Sequence, residues 1–456
     1  MSLDKKLHYF FYPENVAVIG ASRSISSVGR VVLENFAGHF KGKVFPINPN
    51  TEEIMGIKTH KKVSDVREKI DLAVICVPSK FVVSVFKDSL KKKIPAVIIV
   101  SAGFNEIGNH ELADELKTLI NKNKEICRVI GPNCLGVLNT ENSVDSLFLP
   151  AYKLGRPKNG NISFISQSGA LGSTVLDWAS MKKYGVSKFI SYGNAFDVNE
   201  LDLIEYLVHD EKTKVICAYI EGLADGRKFF EKIKSLSKKK PVILLKGGTS
   251  EKGGKAVLSH TASLAGNNEA FNALFKQTKL IKAENLMELF DFARVFSRLQ
   301  KPTGNRIQVI TDGGGYGILM VDSIEKYGLT MAKPRKETVQ KLKKIMPPYV
   351  IIDNPIDLTG DATNERYLDT VKACLNDNNI DLLAIIILYQ VPKIDSSIIE
   401  VIAGLNDLHK KPLVVLSVGG EYSELHQREL EKEGVVNFSY PFEAVKSLKA
   451  LTEYYK

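Results

Sequence analysis

The sequence predicts an α/β protein with three domains, each built on a doubly wound parallel sheet. Three observations lead to this prediction. The chain has 456 residues, which corresponds to about three domains of roughly 150 residues each. Short β-branched runs alternate with amphipathic stretches along the whole chain, as is typical of parallel sheets covered by helices. Two segments rich in proline and glycine divide this alternation into three series.

Residues 1–138 are predicted to form the first domain, and the looser segment 139–160, which contains LPAYKLGRPKNG, is predicted to be a linker. The apolar runs and amphipathic periods predict these elements in the first domain: strands at 15–20, 43–48, 71–77, 96–101 and 127–131, and helices near 28–39, 79–92 and 110–123.

The second domain is predicted over 161–300 and the third over 301–456, which begins at the break KPTGNR. The predicted strands are 161–166, 186–191, 214–220 and 241–246 in the second domain, then 307–311, 382–389, 412–417 and 435–438 in the third. The predicted helices of the second domain are 169–184, 199–209, 224–238 and 268–276. ISFISQSGALG and IQVITDGGGYG both read as an apolar strand, a polar–glycine turn and a helix. The second and third domains are therefore predicted to be alike.

Composition excludes several classes of protein. The chain carries 62 basic and 52 acidic residues, a net charge of +10, but the lysines are spread out and no basic stripe is interleaved with aromatic residues. A solvated lysine-rich surface is therefore favoured over nucleic-acid binding. No apolar run approaches the ~18 residues of a membrane span, so no membrane association is expected. The five cysteines form no CxxC pair, which argues against a disulfide framework or a metal site and for the cytoplasm.

The first strand–helix turn, VAVIGASRSISSVGR, is a candidate ligand site because such turns commonly hold phosphates at the start of a helix. Gly20 ends the strand, and Ser22 and Arg23 are candidate donors. The dinucleotide fingerprint G-x-G-x-x-G is absent, and Asn48 stands where an NAD site needs an acid for the ribose. NAD is therefore disfavoured and another phosphate-bearing ligand is predicted, the alternative being a tight turn that binds nothing.

Two further turns are candidate anion sites. Ser166, Gln167, Ser168 and Gly169 precede a predicted helix, although Ser168 could be a plain helix cap. The GxSxG nucleophile motif is not matched, because Ser166 occupies the first glycine position. Successive glycines, Gly314 and Gly315 among them, leave backbone N–H groups bare at the third turn, which could equally be only flexible.

The segment 246–266 is a long glycine-rich loop that contains one histidine, His260. A lone histidine is usually structural, but long loops in small domains are usually functional or disordered. An imidazole can attack phosphorus and carry a phosphoryl group if an anion cradle and an orienting carboxylate are present. Glu221, at the end of a predicted strand, is the candidate carboxylate.

These motifs, in this order, resemble the alpha subunits of ADP-forming acetyl-CoA synthetases, in the superfamily of nucleoside-diphosphate-forming acyl-CoA synthetases that includes succinyl-CoA synthetase. The resemblance covers essentially the whole chain. The motifs that carry it are VAVIGAS, GPNCLG (131–136), SQSGALG (166–172), YIEGLADG, SHTASLAG (259–266) and TDGGGYG (311–317). Ala262 departs from the commoner SHTGS form, a change of one methyl group that leaves the role of His260 untouched.

The resemblance implies a Rossmann-like CoA-binding domain followed by two flavodoxin-like domains. It implies a reversible three-step reaction in which phosphate and acetyl-CoA give acetyl phosphate and CoA, His260 takes the phosphoryl group with release of acetate, and ADP then becomes ATP. Glu221 is the partner carboxylate of His260. By the same resemblance, phosphate is held by Ser166, Gln167, Ser168, Gly169, Gly314 and Gly315; CoA is held by Gly20, Ala21, Ser22, Arg23, Asn48 and Pro78; and Asn133 and Cys134 lie near the acyl group and CoA.

The nucleotide-binding ATP-grasp module of this family has no counterpart in the sequence. A separate beta subunit is therefore expected to supply it, together with most of the site for Mg²⁺ and ADP or ATP, in an α2β2 assembly. Three alternatives stay open: a different acyl substrate (branched-chain, aryl or succinyl), a non-catalytic CoA-sensing subunit, and an NAD-dependent oxidoreductase, which Asn48 disfavours.

Overall fold

The computed structural model describes residues 4–223, 225–254 and 268–456. The chain divides into two compact units between Glu284 and Asn285, and each unit is described by itself. The first unit contains two large sheets and the second unit contains one. Within the described ranges, no helix combines the length and the low polarity needed to cross a lipid bilayer.

The first sheet of the first unit has five parallel strands in the order β2-β1-β5-β6-β7. The strand order reverses direction between β1 and β5, which is where doubly wound sheets open a crevice for ligands. Its elements are β1 Asn15–Ile19, α1 Val28–His39, β2 Lys43–Ile47, β3 Glu53–Ile54, β4 Ile57–Lys58, β5 Leu72–Ile75, α2 Ser79–Lys91, β6 Ala96–Ile99, α3 His110–Lys122 and β7 Arg128–Ile130. Short β3 and β4 form a separate hairpin.

The second sheet has seven strands in the order β14-β13-β12-β10-β11-β8-β9. Strands β10 to β14 are parallel, whereas β8 adds to β11, and β9 to β8, in antiparallel pairing. Its elements are β8 Gly136–Asn139, β9 Val144–Asp145, β10 Asn159–Ser166, α4 Gly169–Met181, β11 Val186–Ser191, α5 Glu200–His209, β12 Val215–Ile220, α6 Gly226–Lys239, β13 Val242–Lys246, α7 Asn268–Gln277 and β14 Ile281–Ala283. The direction of the strand order reverses between β10 and β12.

The sheet of the second unit follows the order β17-β18-β15-β19-β20-β21, with β16 pairing with β15. Its elements are α8 Leu286–Arg298, β15 Arg306–Thr311, α9 Gly314–Tyr327, β16 Thr330–Met331, α10 Lys336–Ile345, β17 Ile351–Ile352, β18 Ile356–Asp357, α11 Asn364–Leu375, β19 Leu382–Ile387, α12 Ile398–Asn406, β20 Leu413–Ser417, α13 Glu421–Lys432, β21 Val436–Phe438 and α14 Pro441–Tyr455. The direction of the strand order reverses between β15 and β19.

The helices begin where the sequence offers capping side chains. Ser27 accepts the N–H of Arg30 at the start of α1, and Ser168 accepts the N–H of Leu171 at the start of α4. A side-chain acceptor at this position stabilises a helix by about 1 kcal/mol, because the first N–H groups have no partner inside the helix. The Ser168 cap places the start of α4 directly after β10, whereas residues 20–27 form a longer turn between β1 and α1.

The central strands are buried on both faces, as their unbroken apolar runs predict. One core joins the first and second sheets of the first unit, with Val16, Ile98 and Ile165 among its members, and a second core covers the other face of the first sheet. The segment 139–160, predicted as a linker, instead contains β9, which with β8 extends the second sheet. Its apolar residues Val144 and Leu147 are fully buried, which the high proline and glycine content of the segment concealed.

Candidate functional site

The turn after β1 lies at the reversal point of the first sheet. Gly20 has φ +91°, and a Cβ there would lie 2.8 Å from Val77 Cγ1 and 2.9 Å from the carbonyl oxygen of Cys76. The start of α1 is equally close, since a Cβ on Gly29 would lie 2.0 Å from the Gly20 carbonyl oxygen. Both positions therefore require glycine, because any side chain would push the turn away from β5 and α1.

The polar side chains predicted at this turn hold the turn itself. Asn48 Nδ2 donates to the carbonyl of Ala21 at 2.7 Å. Arg23 Nε donates to the carbonyl of Glu53 at 2.9 Å, and Ser22 Oγ accepts a backbone N–H two residues further on. Asn48 thus fixes the shape of the loop through an amide donor that an acid could not supply.

A pocket of about 760 Å³ opens in the first unit, beside the same strand ends. Its walls come from the segments after β5, β6 and β7 and from the start of α4. The lining residues are Val28, Cys76, Val77, Pro78, Val100, Ser101, Ala102, Asn133, Cys134, Leu135, Phe148, Leu149, Gln167, Ser168, Gly169, Ala170, Ser173, Gly193 and Asn194. The pocket has the size of a small-molecule or cofactor site.

The pocket brings together six of the residues predicted from the sequence: Pro78, Asn133, Cys134, Gln167, Ser168 and Gly169. The Gly20–Arg23 turn and Asn48 are not among the lining residues, although Gly20 packs against the pocket residues Cys76 and Val77. The predicted phosphate turn therefore lines the pocket directly, whereas the predicted CoA turn lies behind the pocket residues Cys76 and Val77.

The two thiols of the pocket are poor nucleophiles. Burial raises the pKa of Cys134 to about 12 and raises that of Cys76 well above its ordinary value. Both thiols stay protonated near neutral pH, and since thiolates rather than thiols attack electrophiles, these side chains act as apolar wall.

Gln167 and Glu221 meet at the reversal point of the second sheet. Gln167 Oε1 accepts the backbone N–H of Glu221 at 2.8 Å and that of Gly222 at 3.2 Å. An amide oxygen that accepts two N–H groups leaves the amide nitrogen of Gln167 turned away from them. Because Gln167 also lines the pocket, its Nε2 is the donor that remains for an anion there.

Glu221 is held by neighbours that the sequence did not single out. Its side chain is buried and accepts the Tyr219 hydroxyl at 3.3 Å, while its carbonyl accepts Lys246 Nζ at 2.8 Å. Burial, reinforced by the Glu221 carboxylate, raises the pKa of Tyr219 to about 12, and burial lowers the pKa of Lys246. Lys246 reaches Glu221 only through the pairing of β12 with β13. Tyr219 lies two residues before Glu221 at the start of the YIEGLADG motif, but the motif gave its hydroxyl no role.

The start of α4 is open toward the pocket. Ser166 Oγ donates to the carbonyl of Ser168 at 2.7 Å, which shapes the turn before the helix. A Cβ on Gly169 would meet nothing closer than 3.7 Å. The first N–H groups of the helix and its positive dipole end are therefore accessible to an anion.

The helix start at Gly314 and Gly315, in the second unit, has a different chemistry. Asp312 is buried and accepts the N–H of Leu388 at 3.0 Å. Burial raises the pKa of Asp312 to about 7. A Cβ on Gly314 would lie 3.2 Å from the Asp357 carboxylate, whereas a Cβ on Gly315 would meet nothing. An anion at this helix start would therefore have two carboxyl groups nearby, which the glycine run alone did not reveal.

His260 lies outside the described residues. The chain that leads toward it leaves β13 at Gly247, where a Cβ would lie 2.5 Å from the Tyr219 hydroxyl. That hydroxyl donates to Glu221. The glycine-rich segment thus begins beside the candidate partner carboxylate, and Gly248, with φ +68°, turns the backbone in a way that favours glycine.

The chain matches three protein-family models. A CoA binding domain matches residues 14–140, a succinyl-CoA ligase like flavodoxin domain matches 159–296, and a ligase-CoA domain matches 307–455. The first two domains contribute the walls of the pocket, and the third contains the helix start at Gly314.

Relatives match over nearly the whole chain. The chain is 38% identical to a protein of Pyrococcus furiosus named acetate–CoA ligase [ADP-forming] II subunit alpha, over 98% of this chain and 97% of the relative. It is 41% identical to an acetate–CoA ligase [ADP-forming] of Methanocaldococcus jannaschii, of which it spans 64% of the length. The solved structure of a dinucleotide forming acetyl-coenzyme A synthetase 1 from Ca. Korarchaeum cryptofilum, in complex with phosphate and ADP, is similar at a TM-score of 0.93 with 34% identity, covering 98% of this chain and 96% of the other.

Proposed function

The chain belongs to the family of ADP-forming acetate–CoA ligases, and from this premise we propose that it is the alpha subunit of such an enzyme, with acetyl-CoA, phosphate and ADP as substrates and acetate, CoA and ATP as products. The observation that carries the proposal is the pocket at which the Cys76–Pro78 segment after β5, the Asn133 segment and the open start of α4 converge. It offers room for the arm of CoA next to donors for an anion.

In the first step, an oxygen of phosphate attacks the acetyl carbon, the carbon–sulfur bond breaks, and CoA leaves as a thiol after taking a proton. Gln167 Nε2 and the first N–H groups of α4 are placed to donate to phosphate oxygens at this edge of the pocket. Donors held in position before reaction stabilise developing negative charge more effectively than mobile water does. The Gly20–Arg23 turn and the Asn48 side chain shape the CoA side.

In the second step, a ring nitrogen of His260 attacks the phosphorus of acetyl phosphate and acetate leaves. Glu221 accepts the remaining ring N–H, which fixes the tautomer and stabilises the cation that forms. In the third step, an ADP oxygen attacks the phosphohistidine and ATP forms. A loop with glycines on either side of the histidine allows the phosphoryl group to travel between sites.

A second subunit with an ATP-grasp domain supplies the nucleotide site in this proposal, and Mg²⁺ binds there together with ADP or ATP. The subunits form an α2β2 assembly. The names of the relatives support a partner subunit: one is an alpha subunit of nearly the same length, and another is a longer single chain. A cytoplasmic location fits the five unpaired cysteines, which a reducing compartment preserves.

The test is reconstitution of ATP formation. The purified chain with acetyl-CoA, phosphate and ADP is expected to form no ATP, and addition of the ATP-grasp subunit is expected to restore ATP formation. A panel of acyl-CoA substrates in the same assay identifies the acyl group. Robust ATP formation by the single chain, or no ATP from the assembled subunits with any acyl-CoA, would contradict the proposal.

A further inference from the structure

The side chains of Glu106, Asn194 and Asn133 form a hydrogen-bonded row that ends at the wall of the pocket. Asn133 Nδ2 donates to Asn194 Oδ1 at 3.2 Å, and Asn194 Nδ2 donates to Glu106 Oε2 at 2.7 Å. Both asparagines line the pocket, whereas Glu106 does not. The row therefore runs from a carboxylate outside the pocket to an amide at its surface.

Glu106 is fixed as an ionised acceptor. Its Oε1 accepts the backbone N–H groups of Gly103 at 2.5 Å and Phe104 at 3.1 Å. Partial burial alone would raise the pKa of Glu106, but these two donors and the Asn194 amide outweigh it and leave that pKa below its ordinary value. A carboxylate in this state only accepts hydrogen bonds.

The carboxylate sets the polarity of the whole row. Since Glu106 accepts, Asn194 must turn its nitrogen toward it and its oxygen toward Asn133. Asn133 must then turn its nitrogen toward Asn194, which leaves Asn133 Oδ1 on the other side. No donor among the described residues reaches that oxygen, so it is available to a ligand in the pocket.

The backbone keeps the two asparagines together. Asn133 has φ +56°, a conformation that asparagine tolerates better than most residues. A Cβ on Gly193 would lie 2.2 Å from the Asn133 carbonyl oxygen, and the N–H of Asn194 donates to the carbonyl of Pro132 at 2.9 Å. The amide of Asn133 therefore has little freedom to reorient by backbone movement.

We propose that Glu106 is a positioning residue that fixes Asn133 as a hydrogen-bond acceptor for an amide N–H of the CoA arm. This proposal rests on the proposed function, and it names which part of CoA the wall at Asn133 recognises. An oxygen lone pair disfavours a phosphate dianion and favours an N–H donor. The arm of CoA carries two secondary amides, and the pocket is large enough to receive it.

The row offers a test by polarity reversal. In Glu106→Gln, the new amide oxygen must face the N–H groups of Gly103 and Phe104, so its nitrogen faces Asn194. Asn194 and then Asn133 turn over, and Asn133 presents a donor to the pocket. In the double variant Glu106→Gln with Asn194→Asp, the new carboxylate accepts from both neighbours and returns Asn133 Oδ1 to the pocket.

The measurement is the Kd of CoA for the full-length chain by calorimetry, with Glu111→Gln, an exposed acid on α3, as matched control. Glu106→Gln is expected to raise Kd by roughly tenfold, the usual effect of leaving a polar group unpaired, and the double variant to restore it to within about threefold. Asn133→Gly, which tolerates the positive φ, should weaken CoA equally, and Glu106→Gln should add nothing in that background.

Each outcome of these CoA-binding measurements either supports or overturns the proposed role of Glu106. If Glu106→Gln binds CoA as tightly as wild type, or if its effect persists undiminished in the Asn133→Gly background, the proposal is overturned. A double variant that keeps the wild-type melting temperature but fails to recover CoA affinity overturns it as well. If wild-type chain does not bind CoA at all, the proposed function fails and this inference fails with it, a result distinct from a selective insensitivity to Glu106.

Discussion

Gln167 Oε1 accepts the backbone N–H of Glu221 at 2.8 Å, directly linking the ends of β10 and β12 where the strand order reverses. The bond has a counterpart in the second unit, where Asp312 accepts the N–H of Leu388 at 3.0 Å between the ends of β15 and β19. In both cases the side chain of the residue that follows one central strand accepts a backbone N–H from the residue that follows the neighbouring strand. The similar motifs SQSGALG and TDGGGYG thus correspond to similar local structures with different charge.

Substitutions of Gln167 separate its role as an acceptor for backbone N–H groups from its proposed role as a donor to phosphate. Gln167→Ala leaves the N–H groups of Glu221 and Gly222 without their acceptor and is expected to destabilise the first unit by about 1–3 kcal/mol. Gln167→Glu keeps an acceptor for them but loses the Nε2 donor and adds negative charge beside the pocket. Its melting temperature should stay within a few degrees of wild type, while formation of acetyl phosphate from acetyl-CoA should fall at least tenfold.

The control for these variants is Asp177→Asn, a change in an exposed acid of the same helix, α4, that does not line the pocket. This control should change neither the melting temperature nor the rate of acetyl phosphate formation. Equal activity of Gln167→Glu and wild type would show that the amide nitrogen does not contact phosphate.

Glu221→Gln is expected to slow phosphoryl transfer to His260 by at least tenfold and to shorten the lifetime of the phosphoenzyme. The amide is neutral, so it loses the stabilisation of the imidazolium while retaining nearly the same shape. Quenched-flow measurement of labelled enzyme checks both rates. Glu231→Gln, an exposed acid of the same domain, is the matched control, and identical rates in the two variants would remove Glu221 from the mechanism.

We expect the nucleotide preference of the first domain to depend on Asn48. Wild-type chain is expected to bind CoA and not NAD. Asn48→Asp should not create an NAD site, because its carboxylate would face the carbonyl of Ala21, which now accepts a hydrogen bond at 2.7 Å. We expect this variant to lose CoA affinity and stability instead, by about 1–3 kcal/mol. Calorimetric titration of wild type and Asn48→Asp with CoA and with NAD measures the affinities. Tighter binding of NAD than of CoA by either protein would contradict the assignment of the first domain to CoA.

Asp312 gives the second unit a specific dependence on pH. Its pKa in the folded state, about 7, lies above the 3.8 of an exposed aspartate. The folded state therefore holds a proton that the unfolded state releases, and the stability this contributes is full below about pH 4 and is lost as the pH rises to about 7. Asp312→Asn, which stays neutral, should thus gain stability relative to wild type between pH 5 and pH 8, by up to a few kcal/mol.

Thermal unfolding of both proteins at these two pH values measures the effect. Asp381→Asn serves as the control, because Arg306 outweighs burial and holds the pKa of Asp381 below its ordinary value. Asp381 is therefore ionised in both the folded and the unfolded state throughout this range, and the stability difference between Asp381→Asn and wild type should not change with pH. A constant difference between wild type and Asp312→Asn across the range would show that Asp312 is ionised in the folded protein.

The sequence predicted the parallel sheets well because their strands are buried on both faces and therefore appear as unbroken apolar runs. The run predicted at 186–191 forms strand β11 with the same bounds, and the amphipathic period at 28–39 forms α1 likewise. The prediction of a linker at 139–160 was less accurate. Its strand β9 is only two residues long and pairs with β8, Gly136–Asn139, which leaves too short a pattern to detect.

Gln167 and Glu221, each directly after a strand, were singled out from the sequence, and the structure joins them by a hydrogen bond. Residues that act through pairing across the sheet were not singled out. Lys246 ends an apolar run and reaches the carbonyl of Glu221 only because β12 and β13 are neighbours. Tyr219 lies two residues before Glu221 and donates to its carboxylate from the same stretch of chain. The role of Glu106 depends on two loops far apart in the chain, and no spacing in the sequence brings it to Asn194.

The most direct test of the account is the phosphorylation of His260. Wild-type chain incubated with radioactive phosphate and acetyl-CoA is expected to acquire a label that is labile in acid and stable in base, as a phosphohistidine is. The label should be absent from His260→Ala, whose affinity for CoA should be nearly unchanged. A label that persists in His260→Ala, or that maps to another residue of the wild type, would contradict the central claim.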